Sequence, residues 1–215
     1  MSIFVLQLSS AALLLSVIFL HLAKKNFGAA IAYGVQSFAV VLILTVSFVE
    51  TGDPLILLVA ALTLGVKVIV APKFFISLIR RNDFKFSAST YLNMPLTLVA
   101  LTAFIALAHS KKFLPLTDIV PAHHALLSAG LSAVFISLFL IINRRGALSQ
   151  VLGVLSLENS IVAFAVFAGL EQAPVLQIGI LFNLLIWIII ASIFVALLLR
   201  HFRTIDTGIL EHLKD

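Results

Sequence analysis

Apolar stretches of about 20 residues recur from one end of this chain to the other, and no other feature limits its fold so tightly. A run of that length crosses the ~30 Å hydrocarbon core of a bilayer as a helix. Within that core only structures that satisfy their own backbone hydrogen bonds persist. Of the 215 residues, 62% are apolar and 11% charged, where a soluble domain carries about a quarter charged residues. The sequence therefore predicts an all-α, polytopic membrane protein. It excludes a soluble enzyme, a secreted disulfide scaffold and a disordered tail.

Seven segments are long enough, which predicts transmembrane helices over residues 2–22, 27–49, 54–79, 90–109, 121–143, 148–170 and 174–200. Gly52-Asp53-Pro54, Pro115, Pro121 and Pro174 fall at helix starts or in loops, where a missing N–H costs little. The first segment does not read as a cleavable signal. Its basic pair, Lys24-Lys25, follows the apolar stretch instead of preceding it, and no small-residue cleavage site stands out.

With seven crossings, one side of the membrane receives ten basic residues: Lys24, Lys25, Arg80, Arg81, Lys85, Arg144, Arg145, Arg200, Arg203 and Lys214. The other side receives Lys111 and Lys112, together with Glu50, Asp53, Asp118 and Glu171. The positive-inside rule then places the C-terminus in the cytoplasm and the N-terminus outside. The net charge of +5 is thus a matter of topology and not of nucleic-acid binding, and Lys73 can snorkel to the cytoplasmic interface. Without cysteine, the chain cannot hold a thiolate-ligated cluster, a cysteine zinc site or a disulfide. No phosphate loop, nucleophile elbow or metal motif is present. The expectation is a subunit with no cofactor, no metal and no redox centre.

Two charges have no place in this scheme. Lys67 lies halfway along the third predicted helix, and Glu158 lies at the middle of the sixth. Either costs ~2.5 to 3.5 kcal/mol at a helix centre on insertion scales, so each should face protein or water. One reading is a buried ion pair that fixes helix packing. The other is a proton relay, in which a partner charge controls the proton occupancy of a group held at low dielectric.

The chain also contains an internal similarity. Lys24-Lys25 leads to a helix with Gln36-Ser37, an acidic turn ending at Pro54, and Lys67 thirteen residues later. Arg144-Arg145 leads to a helix with Glu158-Asn159, a turn ending at Pro174, and Trp187 thirteen residues later. This predicts a parallel repeat of two three-helix units, residues 1–80 and 121–215, joined by a connecting helix and loops within 81–120. Gln36 then occupies the position equivalent to Glu158.

The second unit resembles the three-helix K subunit of bacterial complex I. The likeness rests on Asn143-Arg144-Arg145 at the end of its first helix, on Gly153 five residues before Glu158-Asn159, and on the polar tail Arg203-Thr204-Ile205-Asp206. Over its full length the chain resembles the hydrogenase-4 component E family, through Lys67-Val68-Ile69-Val70-Ala71-Pro72, Leu157-Glu158-Asn159-Ser160 and Ile178-Gly179-Ile180. The resemblance implies a membrane-arm subunit of a complex I-like group 4 [NiFe]-hydrogenase, of the hydrogenase-4 or formate hydrogenlyase type, in a bacterial or archaeal cytoplasmic (inner) membrane. It implies antiporter-like and other membrane subunits as partners, with a cytoplasmic hydrogenase and iron–sulfur module beyond them. It also places Glu158 on a mid-membrane proton path. The second glutamate of the K subunit does not carry over, because this chain has Asn183 there, and an amide cannot release a proton.

On this reading Glu158 exchanges protons, Lys67 tunes it, and Gln36, Asn159 and Asn183 support the polar path. An adaptor that positions antiporter-like subunits without conducting ions is the alternative. A stand-alone transporter is disfavoured by the lack of paired broken helices. Trp187 reads as packing, His109, His123 and His124 as solvated loop residues, and the 18 Phe as lipid-facing or interhelical bulk.

Overall fold

The computed structural model describes residues 2–81, 90–118, 120, 123–169 and 179. Among them the chain is helical and without strands. Helix α1 spans Ser2–Leu22 and α2 Asn26–Thr51. The third long helix runs without a break from α3, Pro54–Thr63, through a π-helical segment, Leu64–Val70, into α4, Ala71–Arg81. Then come α5, Met94–Ala108, the single turn α6, Leu114–Thr117, and the pair α7, His124–Asn143, and α8, Ala147–Phe167. Among the described residues, five helices are long and apolar enough to cross a membrane: α1, α2, the α3–α4 helix, α7 and α8.

The fourth expected span is shorter than predicted. Asn93 caps α5 by accepting a hydrogen bond from the Leu96 N–H, and Pro95 follows in the first turn. Ahead of the cap, Tyr91 N–H donates to Asn143 O and Leu92 N–H donates to Asn143 Oδ1, so this stretch is tied to the end of α7 and does not extend the helix. The 15 residues that remain make a rod of about 22 Å, less than the bilayer core. The seventh expected span, 174–200, with Asn183 and Trp187, lies outside the described residues, as does the 203–206 tail.

Helices α1 and α2 form one antiparallel hairpin, α7 and α8 another, and the two lie side by side with α1 on α7 and α2 on α8. The hydrogen bonds between α2 and α8 fix their relative direction. Asn26 pairs with Ser149, Gln36 with Ser156 and Ser37 with Asn159; the partners advance together, so these helices run parallel. Small residues allow the close packing. A Cβ on Gly130 would stand 3.2 Å from the Phe164 backbone, and one on Gly153 would stand 2.9 Å from Ile141 Cγ1. The buried apolar side chains form two clusters. One centres on Leu13, Ile43, Leu127 and Ile136, the other on Tyr33, Phe75, Leu148 and Leu152.

At the end of the bundle where α1 finishes and α8 begins, Arg144 is buried and serves as a cap. Its guanidinium donates to the carbonyls of Leu20, His21 and Ala23. Leu20 and His21 belong to the last turn of α1, whose carbonyls have no intrahelical partners and lie at the negative end of its dipole, and Ala23 follows directly. Its neighbour Arg145 lies with its guanidinium carbon 4.4 Å from the centre of the Tyr91 ring. The sequence assigns both arginines to topology; the structure gives Arg144 a second task, closing α1.

Candidate functional site

The π-helical segment is where the sequence places its unpaired lysine. A proline inside a helix donates no N–H, and its ring crowds the carbonyl four residues back. Pro72 stands just after the segment, and Ala71 N–H donates to Val66 O, five residues back. The widened turn thus accommodates the proline. It also lets α2 come close, since a Cβ on Gly34 would lie 3.2 Å from Pro72 Cγ.

The wide turn governs which side chains face inward. Val59, Thr63, Lys67, Ala71, Phe75 and Ile79 are all buried, one every four residues. A regular α-helix would drift by ~40° at each such step and turn the series away from the core. The π segment rotates less per residue and offsets that drift across the steps on either side of Lys67. Lys67 is therefore carried inward by the same register that buries its apolar neighbours.

Opposite it stands α8. Lys67 Nζ donates to Glu158 Oε1 at 2.6 Å and to Asn159 Oδ1 at 3.1 Å. Asn159 Nδ2 then donates to Ser37 Oγ on α2 at 2.9 Å. Three helices are joined in this way by two bonds from the ammonium and one between neutral groups. The lysine side chain is 3% exposed and the glutamate 16%, so the carboxylate forms the more accessible side of the pair. Lys67 and Glu158 are therefore in direct contact, with Asn159 as a second acceptor for the lysine.

Gln36 lies close by but takes different partners from Glu158. Its Nε2 donates to Ser156 O at 3.1 Å and to Ser160 Oγ at 3.3 Å. Ser137 Oγ on α7 is 3.0 Å from both Ser156 Oγ and Ser160 Oγ. These groups make a neutral seam beside the charged cluster. Ser137 carries no signal of its own in the sequence. Ser156 and Ser160 flank Glu158 at helical spacing, and that i, i+4 pair is the signal that would have marked the seam.

His124, expected in a loop, is the first residue of α7, and His109 follows the end of α5. His124 Nε2 is 3.9 Å from Asp118 Oδ1, with both side chains substantially exposed, and His109 Nδ1 lies 2.9 Å from Ile105 O in its own last turn. Among the described residues no group of three or more His, Cys, Asp or Glu side chains could hold a metal ion. Chemically, the site offers one carboxylate, one ammonium and a ring of amides and hydroxyls. It can hold or pass a proton, and among the described residues it contains no nucleophile hydrogen-bonded to a base.

Comparison with known proteins finds no matching family model, no matching curated protein and no matching solved structure.

Proposed function

We propose that the chain is a non-catalytic membrane-arm subunit of a complex I-like assembly of the group 4 [NiFe]-hydrogenase type. In this reading it supplies part of a mid-membrane proton path, with Glu158 as the exchanging carboxylate and Lys67 as the charge that tunes it. The observation that carries the proposal is the 2.6 Å contact between Lys67 and Glu158, near the middle of two apolar helices. A charge pair there is expensive to desolvate, and π turns occur frequently at functional sites. Moving one charge against 100 mV requires about 2.3 kcal/mol, so the driving energy belongs to a redox partner. The inter-helix bonds are consistent with the two-unit repeat: partners in α2 and α8 are 120 to 124 residues apart in sequence, and Gln36 and Glu158 differ by 122.

The adaptor reading draws on the same contact, because a well-paired lysine and glutamate also suit a purely structural lock. Isolation of the tagged chain from its native membrane tests the family of readings together. The expected result is co-isolation of antiporter-like subunits and a [NiFe]-hydrogenase module. A monodisperse single protein active in transport would overturn it.

The proposal includes an orientation with the C-terminus in the cytoplasm. Reporter fusions should find residues 80–85 and the C-terminus on the cytoplasmic side and residues 111–118 outside. An external C-terminus would remove the seven-span arrangement.

A further inference from the structure

Helix α5 lies against α7 and runs opposite to it. Asn143 Nδ2 donates to Thr97 Oγ1 at 3.3 Å, and the Phe104 ring lies 5.4 Å from that of Phe139 and 6.4 Å from that of Phe135, so the partners on α7 step back as α5 advances. Eleven residues separate Thr97 from Ala108, the last of α5, and nineteen separate Asn143 from His124, the first of α7. Along the axes these are ~16 Å and ~28 Å. With the two helices level at Thr97 and Asn143, α5 ends about 12 Å short of the end of the bundle where α7 begins. The chain after α5 stays near that depth, because the Phe113 ring is 5.3 Å from that of Phe135, near the middle of α7. At Asp118 it is back beside His124.

Helix α7 has 20 residues, a length that matches the ~30 Å hydrocarbon core. The shorter α5 therefore leaves a step in the wall of the bundle, and the step carries charge. Lys111 and Lys112 are exposed on it, with His109 beside them in sequence and also exposed. Among the described residues neither lysine has an ion pair, and the acid of this segment, Asp118, lies 3.9 Å from His124. Below the step, α5 exposes Leu96, Leu98, Val99 and Leu107. Two ammonium groups within the depth of a bilayer call for a counterion. Local thinning and snorkelling lysines are how a membrane meets a short helix. The surface is basic at its top and apolar beneath, which is the order of groups along an anionic phospholipid.

We propose that this step binds an anionic phospholipid, with its phosphate drawn down to Lys111 and Lys112 and its acyl chains laid along α5. A lipid fits better than a free anion, because the exposed leucines and Val99 continue the site below the charges. It also fits better than a partner protein. A partner helix of bilayer length would bring apolar side chains to the level of the lysines and leave both uncompensated. The site stands whichever side of the membrane the step faces, and whatever the Lys67–Glu158 pair does.

The test uses the full chain with the photoreactive residue p-benzoylphenylalanine in place of Leu107, reconstituted in vesicles of dioleoylphosphatidylcholine and dioleoylphosphatidylglycerol at four to one. Mass spectrometry of the adducts after illumination should find the ratio of phosphatidylglycerol to phosphatidylcholine raised about fivefold over that of the vesicle, the gain expected from one lysine near a membrane surface. Lys111→Gln with Lys112→Gln should return the ratio to that of the vesicle, and Lys111→Arg with Lys112→Arg should keep it raised. A ratio equal to the vesicle's with both lysines present, or one still raised in the glutamine variant, overturns the site. Inorganic phosphate at 20 mM should leave the enrichment in place; its loss would assign the step to a free anion and overturn the lipid. In native membranes the same probe should again yield lipid adducts. A protein adduct in their place would show a partner covering α5 and overturn the proposal.

Discussion

Glu158→Gln combined with Lys67→Met is expected to restore an assembled complex that still transfers electrons to an artificial acceptor but no longer couples that transfer to ion movement. The single change Glu158→Gln is a poorer test. It removes the negative charge from a bond of 2.6 Å and leaves a buried ammonium with only neutral acceptors around it. Breaking a buried pair from one side costs on the order of 3–5 kcal/mol, so loss of assembly would follow under either the relay or the adaptor reading. The double change removes both charges and replaces them with groups of similar size, a substitution often neutral or stabilising. Assembly should therefore return. Measured proton uptake or release per electron then separates the readings: coupling near zero agrees with the relay, and coupling at the level of the unmodified protein rejects it in favour of the adaptor.

Arg144→Met is expected to be among the most destabilising single changes in the chain. The guanidinium donates to Leu20, His21 and Ala23 carbonyls, and hydrogen bonds to a charged group are each worth about 1.5–3 kcal/mol. Methionine fills much of the volume but satisfies none of the carbonyls, so a loss of roughly 3–5 kcal/mol is expected, at the upper end for single substitutions. Thermal unfolding in detergent, followed by size-exclusion fluorescence, should show a markedly lower midpoint and reduced folded yield. Arg144→Lys should recover only part of the loss, since the ammonium sits on a shorter side chain than the Nη2 that reaches all three carbonyls. A midpoint equal to that of the unmodified protein would show that α1 closes without the arginine.

The sequence makes most of the helices legible, because a bilayer-length apolar run has few alternatives. The long helices begin and end within a few residues of expectation wherever the structure describes them. It is less informative around α5. There the apolar stretch continues past the point at which Asn93 captures the Leu96 N–H, and Asn143 binds the preceding strand of chain. The hold on Tyr91 and Leu92 depends on Asn143, far away in sequence, whereas Asn93 and Pro95 are a local helix-start signal that the apolar run obscures. In the site, Lys67 and Glu158 were legible as misplaced charges, but their contact was not, since nothing in either apolar run names its neighbour. The serines were obscured for a different reason. Ser37, Ser137, Ser156 and Ser160 are individually unremarkable in apolar helices, and they acquire meaning only when α2, α7 and α8 bring them together.

The π-helical turn has a consequence for how this chain would be compared with another. Widening a helix over Leu64–Val70 absorbs roughly one residue's worth of rotation, so the third span is about one residue longer than a plain α-helix would need to present the same faces at both ends. A related chain with an unwidened helix would align to this one with a single-residue gap inside an otherwise unbroken apolar segment. That gap would fall beside the lysine, and an alignment that refused to open it would pair the buried positions after Val70 with lipid-facing ones.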